Sequence, residues 1–237
     1  MRVLAVYNFE GSKLGQVGQA LEEAGAEVEL LHPHLGDEVP EAPEGYDGLV
    51  VLGGTQNALA DDACPWLPKL CGLMRAFGET DRSVLGICLG SQLLARAYGG
   101  DNIIGGASEF GWQKVQLTTQ GKDDPIFSDL PSAFHMFQWH DDTFNLPPGV
   151  DRLAASSQVK NQAFRMGRAA YGLQFHFEAD RALVDVWNRE FASWLEENRP
   201  GWLERHPAEA AKLGPKADAA GLTIARNWVR TIIPSRG

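Results

Sequence analysis

A chain of 237 residues with 21 Lys and Arg against 31 Asp and Glu carries a net charge of −10. An acidic chain without a basic cluster makes nucleic acid and anionic membrane surfaces poor partners, and no apolar run approaches the roughly 20 residues that cross a bilayer. Its hydrophobic fraction of 44% and charged fraction of 22% are those of a water-soluble fold with a sizeable core.

In chain order, Arg2 to Phe9 predicts a buried first strand. It is a poor signal segment, because the apolar run is short and no small-residue cleavage site follows. Leu14 to Ala24 predicts a helix with Leu14, Val17 and Leu21 on one side, stopped by Gly25. Val28 to Leu31 is a second strand, ended by His32-Pro33. After a turn-rich stretch from Gly36 to Gly45, Gly48 to Leu52 is a third strand running into Gly53-Gly54. Pro65 opens a helix to about Phe77, since proline is tolerated in a first turn. Ser83 to Ile87 is a fourth strand, and Leu89 to Tyr98 the helix after it. This alternation predicts an α/β fold with a mostly parallel sheet and helices on both faces.

From Gly105 the texture changes to short β pieces: Trp112 to Leu117, Phe134 to Trp139, Arg152 to Ala155, Gln162 to Met166 and Ala170 to Phe175. They predict antiparallel strands added to the parallel sheet. Asp180 opens a helix with Leu183, Trp187, Phe191, Trp194 and Leu195 along one side. One or two further helices are expected over Pro207 to Leu213 and Ala217 to Val229. No repeat or long linker divides the chain, so a single domain over 1–195 is expected, with 196–237 as a helical extension packed on it.

Three cysteines, Cys64, Cys71 and Cys88, are a sparse, odd set without metal-like spacing, which predicts neither a disulfide frame nor a metal site and fits a reduced, cytoplasmic setting. Cys64 and Cys71 fall on or beside a helix and are expected to pack. Cys88 differs. Gly86-Ile87-Cys88-Leu89-Gly90 is a G-x-C-x-G pattern between a strand and a helix, the thiol version of a nucleophile elbow. The sharp turn strains its central residue, small neighbours two positions either side relieve the crowding, and the side chain stands at the carboxyl end of the sheet. The helix N-terminus favours a thiolate there and offers unpaired N–H groups.

A nucleophilic thiol needs a base, and the base needs an orienting group. His32, His34 and His206 lie in polar or proline-flanked stretches and are expected at the surface; His135 is expected within a strand. His176 ends the strand-like YGLQFHFEAD, with Glu178 two positions on. Residues i and i+2 of a strand point the same way about 7 Å apart, so the glutamate can hold one ring nitrogen while the other faces the cysteine.

Together these segments resemble the class I, triad-type glutamine amidotransferase family. The marks are Gly86-Ile87-Cys88-Leu89-Gly90-Ser91-Gln92, then Gln174-Phe175-His176-Phe177-Glu178, and the Gly53-Gly54 turn, in that family's order and spacing. The resemblance covers about residues 1 to 195. It is greatest to stand-alone members similar to the glutaminase domain of GMP synthase, which also carry a segment like QWHDDTFNLPPG.

The resemblance implies a flavodoxin-like glutaminase architecture and a thioester mechanism without a cofactor. Cys88 would attack the glutamine side-chain amide, His176 would protonate the leaving ammonia and activate water, and Glu178 would hold the imidazole. Backbone N–H groups of Gly54 and Leu89 would bind the oxyanion. Gly53, Gln92, His140, Asp141 and Asp142 would face the substrate, with His140 a structural residue of its loop. Glu109 receives no catalytic role and could be a surface carboxylate.

Three residues depart from the family pattern: Thr55 and Phe177 stand where proline is common, and Asp141 where glycine is frequent. A carboxylate at Asp141 is expected to repel the substrate α-carboxylate. The implied function is a glutaminase passing ammonia to an acceptor on a separate polypeptide, since the chain has no Walker-type phosphate loop. A free-standing γ-glutamyl peptide hydrolase shares the same residues. An inactive scaffold is disfavoured by the intact Cys-His-Glu set, and an α/β-hydrolase-like enzyme by an acid that follows the histidine.

Overall fold

Burial alternates residue by residue along the central strands between two cores, and this places them inside the molecule. In the computed structural model, which describes residues 1–234, the first half runs β1 (Arg2–Val6), α1 (Gly15–Glu23), β2 (Glu27–Leu31), β3 (Gly48–Val51), α2 (Trp66–Glu79), β4 (Ser83–Ile87) and α3 (Leu89–Ala97). Val3, Ala5, Val50, Leu85 and Ile87 face a core shared with Val17, Leu21, Ile224 and Trp228. Leu4, Val6, Leu49, Val51 and Val84 face the opposite core, shared with Leu70, Met74, Phe77 and Leu93. Strands apolar on both faces are what a helix-covered parallel sheet requires.

The second half comprises β5 (Asn102–Ile103), β6 (Glu109–Leu117), α4 (Thr119–Asp123), β7 (Ala133–His140), β8 (Thr143–Phe144), β9 (Asp151–Ala155), β10 (Ala163–Met166), β11 (Ala170–Leu173), α5 (Arg181–Glu190), α6 (Ala192–Asn198) and α7 (Trp202–Val229). Among the described residues one nine-stranded sheet has the order β2-β1-β3-β4-β11-β10-β9-β6-β7, and β5 pairs with β8 apart from it. Pairing is parallel from β2 through β11 and antiparallel from β11 to β7. The α/β architecture read from the sequence is therefore present, with the change of pairing at β11.

Three differences matter. Ala170 to Phe175 does not run as one strand: β11 stops at Leu173, and His176 beyond it makes a single antiparallel bridge with Phe137 of β7. The helix expected after Asp180 breaks at Phe191, whose ring packs 6.3 Å from Phe9 and 5.4 Å from Trp139. The two C-terminal segments are joined in one 28-residue helix that holds Pro207 and Pro215 in its interior. Each proline removes an N–H and crowds the preceding turn, at about 3 kcal/mol in an exposed helix. Helix α7 persists because its apolar side is buried in two cores, Trp202 and Ala217 in one and Ile224 and Trp228 in the other.

Residues 235–237 of the expected extension lie outside the described residues. None of the three histidines expected at the surface is exposed, and His32 is half-buried. His206 is buried and stacks on Trp112, with ring centroids 5.6 Å apart, and burial pulls its pKa down. His34 is half-buried, its Nδ1 2.8 Å from the Tyr7 carbonyl.

Candidate active site

Strain at Cys88 follows from the turn that holds it. Between β4 and α3 its backbone takes φ +52° and ψ −109°, outside the regions ordinary residues occupy. A Cβ at Gly86 would collide with the Gly90 carbonyl, and one at Gly90 with the Val51 carbonyl of β3. The glycines flanking Cys88 are therefore demanded by close backbone approach. The Cys88 N–H donates to the Leu173 carbonyl at 2.9 Å, and its carbonyl accepts from Ser91 and Gln92 N–H, which ties the elbow to β11 and to α3. Among the described residues the N–H groups of Gly54 and Leu89 have no intramolecular acceptor, and Leu89 N–H heads a helix.

His176 arrives from the other half of the molecule. Its N–H donates to the Phe137 carbonyl at 2.8 Å, its Nδ1 lies 2.7 Å from Glu178 Oε1, and its ring meets Trp187 edge-on at 5.2 Å. Burial works against a charged imidazole here. The negative charges of Glu178 and the Cys88 sulfur, both also hydrogen-bond partners, outweigh it and hold the His176 pKa well above the ordinary 6.5. Gly53 lies against both groups: a Cβ there would sit 3.3 Å from His176 Cε1 and 3.5 Å from Cys88 Cβ.

Helix α1 supports the backbone beneath. The Gln16 N–H donates to the Glu178 carbonyl at 2.9 Å, and its side-chain amide donates to the Phe177 carbonyl at 2.8 Å. Phe177, at the position where proline is common, is itself fully buried in the core beside Phe175.

Cys88, His176 and Glu178 open on one cleft of about 390 Å³, also lined by Gly53, Gly54, Leu89, Gln92 and residues 140–142. The structure thus brings together every residue the sequence singled out for the site. Gln92 reaches the cleft with its amide already donating to Gln174 Oε1 at 3.2 Å. Among the described residues no group of three His, Cys, Asp or Glu is arranged to hold a metal ion.

The family profile described as Glutamine amidotransferase class-I matches residues 5–184. The chain belongs to the class I glutamine amidotransferase family. It is 30% identical over 181 residues to a subunit of the glutamine-hydrolyzing GMP synthase of Archaeoglobus fulgidus, covering 75% of this chain and 89% of that one. It is 31% identical over 145 residues to gamma-glutamyl peptidase 5 of Arabidopsis thaliana, covering 59% of this chain and 56% of that relative. A crystal structure of a glutamine amidotransferase from Thermotoga maritima superposes with a TM-score of 0.85 at 29% identity, over 99% of each chain.

Two expectations are corrected in this family member. Glu109 is no surface carboxylate: it is 2% exposed, accepts from Ser156 Oγ at 2.6 Å and from the Gln162 amide, and lies 3.2 Å from His140 Nε2. With His140 Nδ1 2.9 Å from the Asp142 carbonyl, this buried network shapes the loop facing the cleft. Asp141 is not a bare repelling charge either. Its carboxylate accepts from Ser108 Oγ at 2.6 Å and pairs with Arg199 at 2.9 Å. Neither Glu109 nor Arg199 carries a local signal, because their partners lie 31 and 58 positions away. Only the in-register pairing of Glu109 with His140 across β6 and β7, visible once the strands are aligned, would have pointed to the first.

Proposed function

We propose that this chain hydrolyses the γ-amide of a glutamyl group through a cysteinyl thioester, glutamine being the simplest such substrate. Cys88 Sγ attacks the amide carbon while the N–H groups of Gly54 and Leu89 receive the developing oxyanion. The C–N bond breaks as His176 gives a proton to the leaving nitrogen. Water then attacks the thioester, its proton passes to His176, and the S–C bond breaks to free glutamate. Glu178 holds the ring and stabilises its charged form. One oxyanion donor of this kind is worth about 2.7–4 kcal/mol in the transition state.

The observation that carries this reading is the imidazole of His176, buried between the Glu178 carboxylate and the Cys88 sulfur with its pKa raised by both. Likeness to a GMP synthase component supports ammonia transfer to an acceptor on a separate chain. Likeness to a gamma-glutamyl peptidase supports release of a larger amine, and a cleft of about 390 Å³ leaves room for one. Residues 1–195 would form the catalytic body and 196–237 an extension packed on it, supported by the burial of α7 in its cores. The three free cysteines fit a reducing, cytoplasmic setting.

Glutamate release from glutamine and from γ-glutamyl dipeptides, measured separately, tests the reading. Cys88→Ala is expected to abolish whichever turnover is seen; equal activity in the variant and the parent defeats the mechanism. A glutamine-like electrophile should label Cys88 and spare Cys71, whose thiol burial pushes up to about 11.

A further inference from the structure

The cleft has a wall that ammonia does not need. From the His176 ring, Trp187 leads to Trp139 at 6.0 Å. Trp139 meets Phe191 at 5.4 Å and Trp194 at 5.7 Å, and Phe191 meets Phe9 at 6.3 Å. All five aromatic side chains line the same cleft as Cys88. Trp194, at the outer end, keeps 37% of its surface exposed, with the Arg199 guanidinium 5.4 Å from its ring centroid. Position fixes which part of a substrate meets this wall. Nδ1 of His176 is taken by Glu178, so the proton for the leaving nitrogen comes from Nε2, and that nitrogen must sit against the imidazole from which the aromatic row starts. At the rim, Lys13 follows Phe9 on the same loop, lines the cleft, is exposed, and among the described residues has no ion-pair partner.

We propose that the leaving-group side of this site takes an aromatic amino acid, so that the substrate class is γ-glutamyl dipeptides with an aromatic second residue. The inference rests on the γ-glutamyl hydrolase reading. The ring lies along Trp139, Phe191 and Trp194, and the α-carboxylate of the departing amino acid pairs with Lys13. The C–N bond breaks as before; the nitrogen takes its proton from His176 and departs as the amino group of the free amino acid, and water completes glutamate. Aromatic pairs prefer tilted or offset contact and add the equivalent of roughly two- to tenfold in binding, and an exposed ion pair adds a few-fold at most.

Glutamate release by the purified full chain, compared for γ-glutamyl-phenylalanine, γ-glutamyl-phenylalaninamide and γ-glutamyl-alanine, tests this. The expected kcat/KM is about tenfold higher for phenylalanine than for alanine. Trp194→Ala should cut the phenylalanine value about fivefold and the alanine value less than twofold. Lys13→Gln should remove an advantage of about threefold for the acid over the carboxamide. Equal kcat/KM for the phenylalanine and alanine dipeptides, or a Trp194→Ala loss of the same size on both, overturns the proposal. Calorimetric binding to Cys88→Ala separates the subsite from the chemistry. A phenylalanine preference in binding without turnover by the parent keeps the subsite and sinks the hydrolase reading; no preference in either assay sinks the subsite.

Discussion

The two halves of the sheet equip the cleft in opposite ways. In the parallel half, Cys88, Gly53 and Gly54 stand at strand ends, and short-range backbone geometry decides where they point: Gly86 and Gly90 flank the thiol, and a glycine pair follows β3. In the antiparallel half, His176 is held by Phe137, Glu178 by α1, and the cleft wall by rings gathered from the loop after β1, from β7 and from α5 and α6. A nucleophile can be presented by a five-residue turn. His176 and Glu178 are neighbours in the sequence, but the backbone supports and rings that surround them have to be assembled from segments far apart in the chain.

The contrast is broken most severely at His176 and Glu178. Glu178→Gln should lower kcat by about 10²–10⁴-fold, the range of general acid–base contributions, with little change in KM. It should also bring the His176 pKa down towards 6.5, since the negative charge of Glu178 raises it; NMR titration of the ring checks this. The sign follows from linkage. A raised folded value means that the pair's contribution to stability is full below about pH 6.5 and is lost as pH climbs through the raised value. Chemical denaturation across alkaline pH should therefore show a fall in the parent that Glu178→Gln lacks.

Next comes the aromatic side. Trp202 is buried in the core it shares with Trp187 and Ala217, its ring 4.8 Å from Phe110 and its indole N–H donating to Asn188 Oδ1 at 2.7 Å. Trp202→Ala should cost about 3–5 kcal/mol in denaturant unfolding and weaken the wall without touching the elbow. Gly90→Ala probes the parallel half, where the added methyl meets the Val51 carbonyl. Overpacking of this kind costs about 1–3 kcal/mol, and Cys88 alkylation by the glutamine-like electrophile should slow while the His176 titration holds. The smallest effect is expected at the rim. Arg199→Met frees the Asp141 carboxylate from its pair; a partly exposed ion pair contributes at most about 1 kcal/mol to stability. KM should nevertheless rise a few-fold, as the loop loses its tether and the charge on Asp141 is uncovered.

The residues legible in advance were those whose role is local. The G-x-C-x-G turn, the glycine pair and the H-x-E spacing each occupy five residues or fewer, and elements such as β4 coincide with their expected bounds. Long-range roles were hidden. Glu109 looked like a surface carboxylate because the partners that bury it, His140, Ser156 and Gln162, come from later strands and loops. The expected segments Pro207 to Leu213 and Ala217 to Val229 proved to be parts of one continuous α7, which runs through Pro207 and Pro215 because two cores hold it.

The chain by itself determined the alternation of strand and helix, the strained turn at Cys88 and the pairing of His176 with Glu178, because backbone sterics and side-chain periodicity act over a few residues. Tertiary structure alone decided that the imidazole of His176 meets that sulfur, that Arg199 covers Asp141, and that an aromatic wall and Lys13 border the same cleft. Those depend on packing between segments up to about 180 positions apart, such as Phe9 against Phe191, where contact is set by the whole sheet and no short stretch of sequence records it.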